Sequence, residues 1–222
     1  MPNNFSIGTH PTALPFNRGR HPLHWVIDLG ISETKLSFFK MDEGVDTGNI
    51  ILQCPFQIDE GDEIEDVNSK MNLVVYDGIT ILCQKLISEP NYSGKKQKHK
   101  LANYWRMRTH HDVTIDLRMH ADSIIKTVRS FALPYPCANL IFDNFVIKIK
   151  KVALAKTDKY LEDLKRIEPG SIISIESKKI TVKAGDVIIE LFSIEPLPKV
   201  MTLAKYIHPP SKYIMQNDIK FD

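Results

Sequence analysis

The sequence predicts an α/β domain followed by a small β-barrel. Three features point there. Residues 5–90 mix short strand-like runs with helical apolar spacing. Residues 91–103 are polar, basic and rich in chain breakers. Beyond Pro134-Tyr135-Pro136 the apolar period drops to two, and short strands alternate with turn residues. The 222 residues suit one large or two small domains. We therefore divide the chain into a first domain at 1–90, a linker at 91–103, a barrel at 104–195 and an irregular tail at 196–222. The tail carries prolines at 196, 198, 209 and 210.

Taken in order, residues 5–9 read as a short strand leading into a loop punctuated by Pro11, Pro15 and Gly19. Pro22 suits the first position of a helix running through Leu29, with Gly30 as its terminator. Residues 35–41 and 50–58 read as strands. From about Asp62, residues Ile64, Val67, Met71, Val74, Val75, Leu82 and Leu86 recur near helical spacing. Gly78 works against one unbroken rod, since it costs about 1 kcal/mol relative to Ala. After the linker, Ile124, Ile125, Val128 and Phe131 mark a short helix. Strands at 139–142 and 145–152 flank an Asp143-Asn144 turn, and further strands are expected at 171–176, 179–183 and 186–194.

Composition narrows the function. Hydrophobic residues make up 43% and charged residues 25%, as in an ordinary globular chain. A net charge of +2 does not advertise a nucleic-acid binder, because such partners usually demand a clustered basic surface. Lys95–Lys100 reads as a solvated connector rather than a phosphate site. Three distant cysteines (Cys54, Cys83, Cys137) imply neither a disulfide framework nor a zinc site. No apolar run approaches the roughly 18 residues of a membrane span, and residues 1–8 do not resemble a signal peptide. The chain reads as cytoplasmic.

The chemistry concentrates in residues 7–57. A strand ends at His10 and runs into a proline-stiffened loop, and a second loop, 42–48, holds Asp42, Glu43, Gly44, Asp46 and Gly48. Such loops are where α/β folds place ligands. A histidine aimed at a carboxylate moves protons near neutral pH. Taken singly, His10 reads as a structural histidine and Asp46-Thr47-Gly48 as a turn. His21 with His24, and His110 with His111, lack the cysteine or acid company of a metal site.

Together and in order, these pieces resemble the formyltransferase family that uses 10-formyltetrahydrofolate. The matching residues are His10-Pro11-Thr12-Ala13-Leu14-Pro15, Arg18-Gly19, Asp46-Thr47-Gly48 and Val128–Ala138, with Asp46 following His10 by 36 positions. Arg18–Trp25 looks like the branch that formylates 4-amino-4-deoxy-arabinose on a nucleotide. The resemblance covers roughly residues 5–195. It implies the carboxyl-terminal part of a Rossmann-like catalytic domain followed by an OB-like barrel. It makes His10 and Asp46 the catalytic pair. Thr12, Leu14, Pro15, Arg18, Gly19, Arg20, Asp42, Glu43 and Gly44 become candidates for substrate or folate binding, and no metal is implied.

Two departures stand out. Gly8 occupies the position of the family's catalytic asparagine, two places before the histidine. Met1 lies immediately before the motif strand, where the family has several earlier elements, so the chain looks truncated. The strand at 5–9 should lie centrally, and three strands leave an edge bare. That edge implies a homo-oligomer or sequence beyond the residues given, with weak turnover by the isolated chain and some retained folate binding. The expected acceptor is the amine of a nucleotide-linked amino sugar. The alternatives are a methionyl-tRNA formyltransferase, which should carry a basic surface, and a non-catalytic folate- or sugar-binding homologue.

Overall fold

The computed structural model describes residues 5–156 and 164–210. It divides into two compact units at Arg108/Thr109. In the first unit, β1 (Ile7–His10), β3 (Glu33–Lys40) and β4 (Ile50–Gln57) form an antiparallel sheet in the order β1-β3-β4. The sequence placed strand 5–9 at the centre, but the centre is β3. Leu36, Ser37, Phe38 and Phe39 are consecutive and all buried, so both faces of β3 are covered. Only His10 of β1 is buried. Parallel pairing, expected of a Rossmann-like sheet, is confined among the described named strands to β2 (Arg18–Gly19) and β5 (Tyr104–Trp105).

Two helices complete this unit. In α1 (Pro22–Asp28) the proline opens the helix, and Gly30 follows its end with a positive φ of 67°. The second helix, α2 (Ile64–Ser88), is one unbroken rod of 25 residues. Glu63 and Asp66 cap it reciprocally, and Asp66 Oδ2 accepts the Glu63 N–H at 2.9 Å. Its buried face, Ile64, Val67, Gly78 and Leu82, lies toward β3 and β4. Gly78 does not interrupt it because the missing side chain is what lets Phe38 approach.

The segment 91–103, expected as a linker, lies within the first unit. Lys95 and Ile50 exchange backbone hydrogen bonds at 2.7 and 2.9 Å, and Asn103 O accepts the Arg18 N–H at 3.1 Å. Basic side chains point outward while the backbone pairs inward, so composition alone misread the segment.

The second unit carries α3 (Ala121–Ser130) and an antiparallel sheet of five strands. These are β6 (Ala138–Phe142), β7 (Phe145–Leu154), β8 (Ile172–Glu176), β9 (Lys179–Lys183) and β10 (Ile188–Ser193), in the order β6-β7-β10-β9-β8. Among the described residues β6 and β8 do not pair, so the expected barrel is not closed. Helix α3, residues 115–117 and the segment around Met201 and Ile207 cover the core face instead of the sheet folding onto itself. The described part of the tail is therefore not irregular overhang. Lys199–Leu203 is a 3₁₀ turn, Met201 is fully buried, and Tyr206 bridges to Ser171. The remaining tail residues, 211–222, lie outside the described residues. Among the described residues no helix is long and apolar enough to cross a membrane.

Candidate active site

The site begins with the end of β1. Residues 11–17 turn back over β3, and polar side chains hold the turn together. Thr12 is fully buried, and its hydroxyl lies 2.9 Å from Phe16 O and 3.2 Å from Asn17 O. Ser37 on β3 donates to Thr12 O at 2.6 Å and accepts the Leu14 N–H at 3.3 Å. Gln53 on β4 donates to Leu14 O at 3.0 Å. Buried polar groups are costly unless bonded, so these bonds fix the loop on the sheet.

That loop orients His10, whose side chain is 6% exposed. Its Nε2 lies 2.8 Å from the Asn17 carbonyl, which can only accept, so Nε2 carries a proton. Nδ1 then faces Asp46 Oδ2 at 3.5 Å. The ring stands between two acceptors, an arrangement that suits a proton received at Nδ1.

Asp46 reaches His10 through an uncommon backbone. Its φ is 55°, in the left-handed region that aspartate tolerates better than most residues. Its Oδ2 also accepts the Gly19 N–H at 2.9 Å. Gly19 has a φ of 107°, and a Cβ there would lie 2.2 Å from Trp105 O, so only glycine fits this junction. Earlier in the same loop, Asp42 Oδ1 accepts the Gly44 N–H at 3.1 Å and the Thr47 hydroxyl. Asp42 thus shapes loop 42–48, while Glu43 and Gly44 remain exposed.

The other candidates divide clearly. Leu14 is buried in the core and Pro15 is half-buried beside it. Arg18 is buried within the unit, whereas Arg20 is exposed and its Nη1 lies 3.9 Å from Met107 Sδ. Gly8 pairs with Phe39, and a Cβ on it would lie 3.0 Å from Phe39 Cζ. Sequence reasoning missed Asn17, which supplies the carbonyl to His10, and Gln97, buried beneath loop 42–48. Neither has a local signal, because one lies in a turn and the other in a lysine-rich run. Among the described residues no group of three or more His, Cys, Asp or Glu side chains is placed to hold a metal.

A strand ending in a buried histidine, with an aspartate carboxylate 3.5 Å from its ring on a glycine-flanked loop, is an arrangement suited to proton transfer. Residues 1–79 match the family described as Formyl transferase, and residues 108–208 match its C-terminal domain. The chain belongs to the formyltransferase family. A methionyl-tRNA formyltransferase from Desulforamulus reducens is 28% identical over 199 residues, covering 88% of this chain and 60% of that protein. The chain thus spans about 60% of the length of such curated relatives. The structure of a methionyl-tRNA formyltransferase from Clostridium thermocellum aligns with a TM-score of 0.58 at 20% identity, over 86% of this chain and 70% of that one. An N-formyltransferase from Helicobacter canadensis, in complex with folinic acid and dTDP-3-aminofucose, aligns at 0.61 and 20% identity, over 84% and 65%.

Proposed function

We propose that the chain carries the proton-transfer centre of an N-formyltransferase that moves a formyl group from 10-formyltetrahydrofolate to an amine. In this reading the described residues of the first unit, 5–108, belong to the carboxyl-terminal portion of a Rossmann-like catalytic domain, and those of the second, 109–156 and 164–210, to an OB-like domain. The observation that carries it is the approach of His10 Nδ1 to Asp46 Oδ2 at 3.5 Å, joining two loops that the family motif pairs.

The acceptor amine attacks the formyl carbon. The new carbon–nitrogen bond forms, the bond to folate N10 breaks, and the amine proton ends on N10. His10 receives that proton at Nδ1 and returns it, with Asp46 beside the cationic ring. Proton transfer by a placed side chain contributes about 10²–10⁴-fold. In this reading loop 42–48 holds the pterin largely through backbone groups, and Arg20, which is exposed, is a further substrate-binding candidate by its place in the family motif.

The acceptor we favour is the amine of a nucleotide-linked amino sugar. Supporting this are the Arg18–Trp25 segment, the small net charge, and the ligand named for the Helicobacter canadensis structure. The names of the curated relatives favour a second reading, methionyl-tRNA. Gly8 favours a third, a homologue that binds without turnover, because a missing oxyanion donor costs roughly 3–4 kcal/mol. The test offers formyl-labelled 10-formyltetrahydrofolate with a dTDP-linked amino sugar, with methionyl-tRNA, or with neither. Label on the sugar amine supports the proposal, and label on the tRNA shifts it to the second reading. Folate binding without any transfer establishes the third.

A further inference from the structure

Gln97 lies in the run Lys95–Lys100, where its immediate neighbours are exposed, yet it is only 4% exposed itself. Every polar atom of its side chain is engaged. Oε1 accepts from Arg18 Nη2 at 2.6 Å. Nε2 donates to Asp46 O at 2.9 Å and to Gly48 O at 2.7 Å. The amide orientation is unambiguous, because flipping it would face donor to donor and acceptor to acceptor. Arg18 is 1% exposed and anchored in turn. Its Nη1 donates to the Tyr104 hydroxyl at 2.8 Å, and its Nη2 lies 3.2 Å from His99 Nδ1.

The two carbonyls that Gln97 holds flank the point where loop 42–48 turns back. Asp46 sits there in the left-handed region, a conformation that persists only where the surroundings enforce it. The Gly19 N–H restrains the carboxylate, whereas the Asp46 carbonyl is held, among the described residues, by the Gln97 side chain. A one-residue rotation of this backbone would carry the carboxylate away from His10.

We propose that Gln97 is a positioning residue of the formyl-transfer site. Braced by Arg18, it clamps the backbone of Asp46 so that the carboxylate stays on His10. It touches neither His10 nor the carboxylate and acts only through the loop. This inference rests on the catalytic reading of His10 and Asp46.

The test is a double-mutant cycle between Gln97→Glu and Asp46→Asn. Gln97→Glu keeps the shape and the acceptor for Arg18 but sets an oxygen against the two carbonyls. Misplacing a reacting group by about 1 Å can cost 10²-fold. The expected loss in kcat for Gln97→Glu is therefore roughly tenfold to hundredfold, with the KM for the amine acceptor unchanged. In the Asp46→Asn background the same change should cost less than about twofold. Losses that multiply in the two backgrounds overturn the proposal for Gln97 alone. A normal rate for Asp46→Asn by itself overturns the catalytic reading, and the proposal with it. The ring-nitrogen resonances of His10 give a readout independent of turnover. They should move in Gln97→Glu toward their positions in Asp46→Asn, and unmoved resonances refute the clamp. Should Gln97→Glu fail to fold, Gln97→Asn enters the same cycle with the same criteria.

Discussion

Replacing Gly78 by alanine sets two well-measured effects against each other. On helix propensity alone the change stabilises α2 by about 1 kcal/mol. The structure opposes that gain. A Cβ at position 78 would lie 2.6 and 2.8 Å from Phe38 Cε2 and Cζ, and 3.3 Å from Cys54 Sγ. Carbon atoms rest at about 3.5–4.0 Å, so the ring would have to retreat by about 1 Å. Phe38 is only 1% exposed on the central strand, which leaves its ring no open side. Extra methylenes in a packed core cost about 1–3 kcal/mol. The expected net effect is a loss of up to about 2 kcal/mol. At about 4–8 °C per kcal/mol for a unit of this size, the melting point should fall by several degrees. Urea unfolding followed by circular dichroism measures the difference directly. In a Phe38→Leu background the penalty should shrink, because the ring atoms are gone. A variant more stable than the parent by about 1 kcal/mol would show that the Gly78–Phe38 contact is looser than described and refute the reasoning.

Two further outcomes follow from other parts of the molecule. Met201→Ala should destabilise the second unit by about 2–5 kcal/mol, as for other buried methionines, because Met201 is fully buried in the core; a change below about 0.5 kcal/mol would detach this segment from the core. The hydrogen bonds from Arg118 hold the Asp116 carboxyl below its ordinary value, with Arg118 Nε 2.9 Å from Asp116 Oδ1. That contribution is present above the unfolded value of about 3.9 and is lost as pH falls through the depressed folded value. Arg118→Ala should therefore be less stable than the parent at neutral pH, with the difference vanishing under acid; a difference independent of pH would point to packing instead.

The local devices of this chain were legible in its sequence. Pro22 and Gly30 bound α1, and Asp143 takes the positive φ of the expected hairpin turn. The pairing of His10 with Asp46 followed from family motifs rather than from spacing. What escaped depends on partners distant in the chain. Whether β1 or β3 is central depends on which strand is covered on both faces, and the four buried residues of β3 decide it. The two-residue strand β5 is too short to leave a pattern, and it exists because Gly19 meets Trp105. Gln97 looked like linker because its neighbours are lysines, although its amide is wholly used inside the unit. The apolar residues of the tail were hidden among prolines, and Met201 shows its burial only in three dimensions.

The central claim is that His10 and Asp46 together move the proton in formyl transfer. It is tested most directly by single-turnover transfer of a labelled formyl group from 10-formyltetrahydrofolate to a dTDP-linked amino sugar, comparing the parent with Asp46→Asn. Both proteins should bind the folate with similar affinity, since in the proposed reading loop 42–48 holds it by backbone groups rather than by the Asp46 carboxylate. The label should reach the sugar amine with the parent and slow by about 10²–10⁴-fold in the variant. Equal transfer by both proteins, or folate binding lost together with transfer, would contradict the role assigned to the pair.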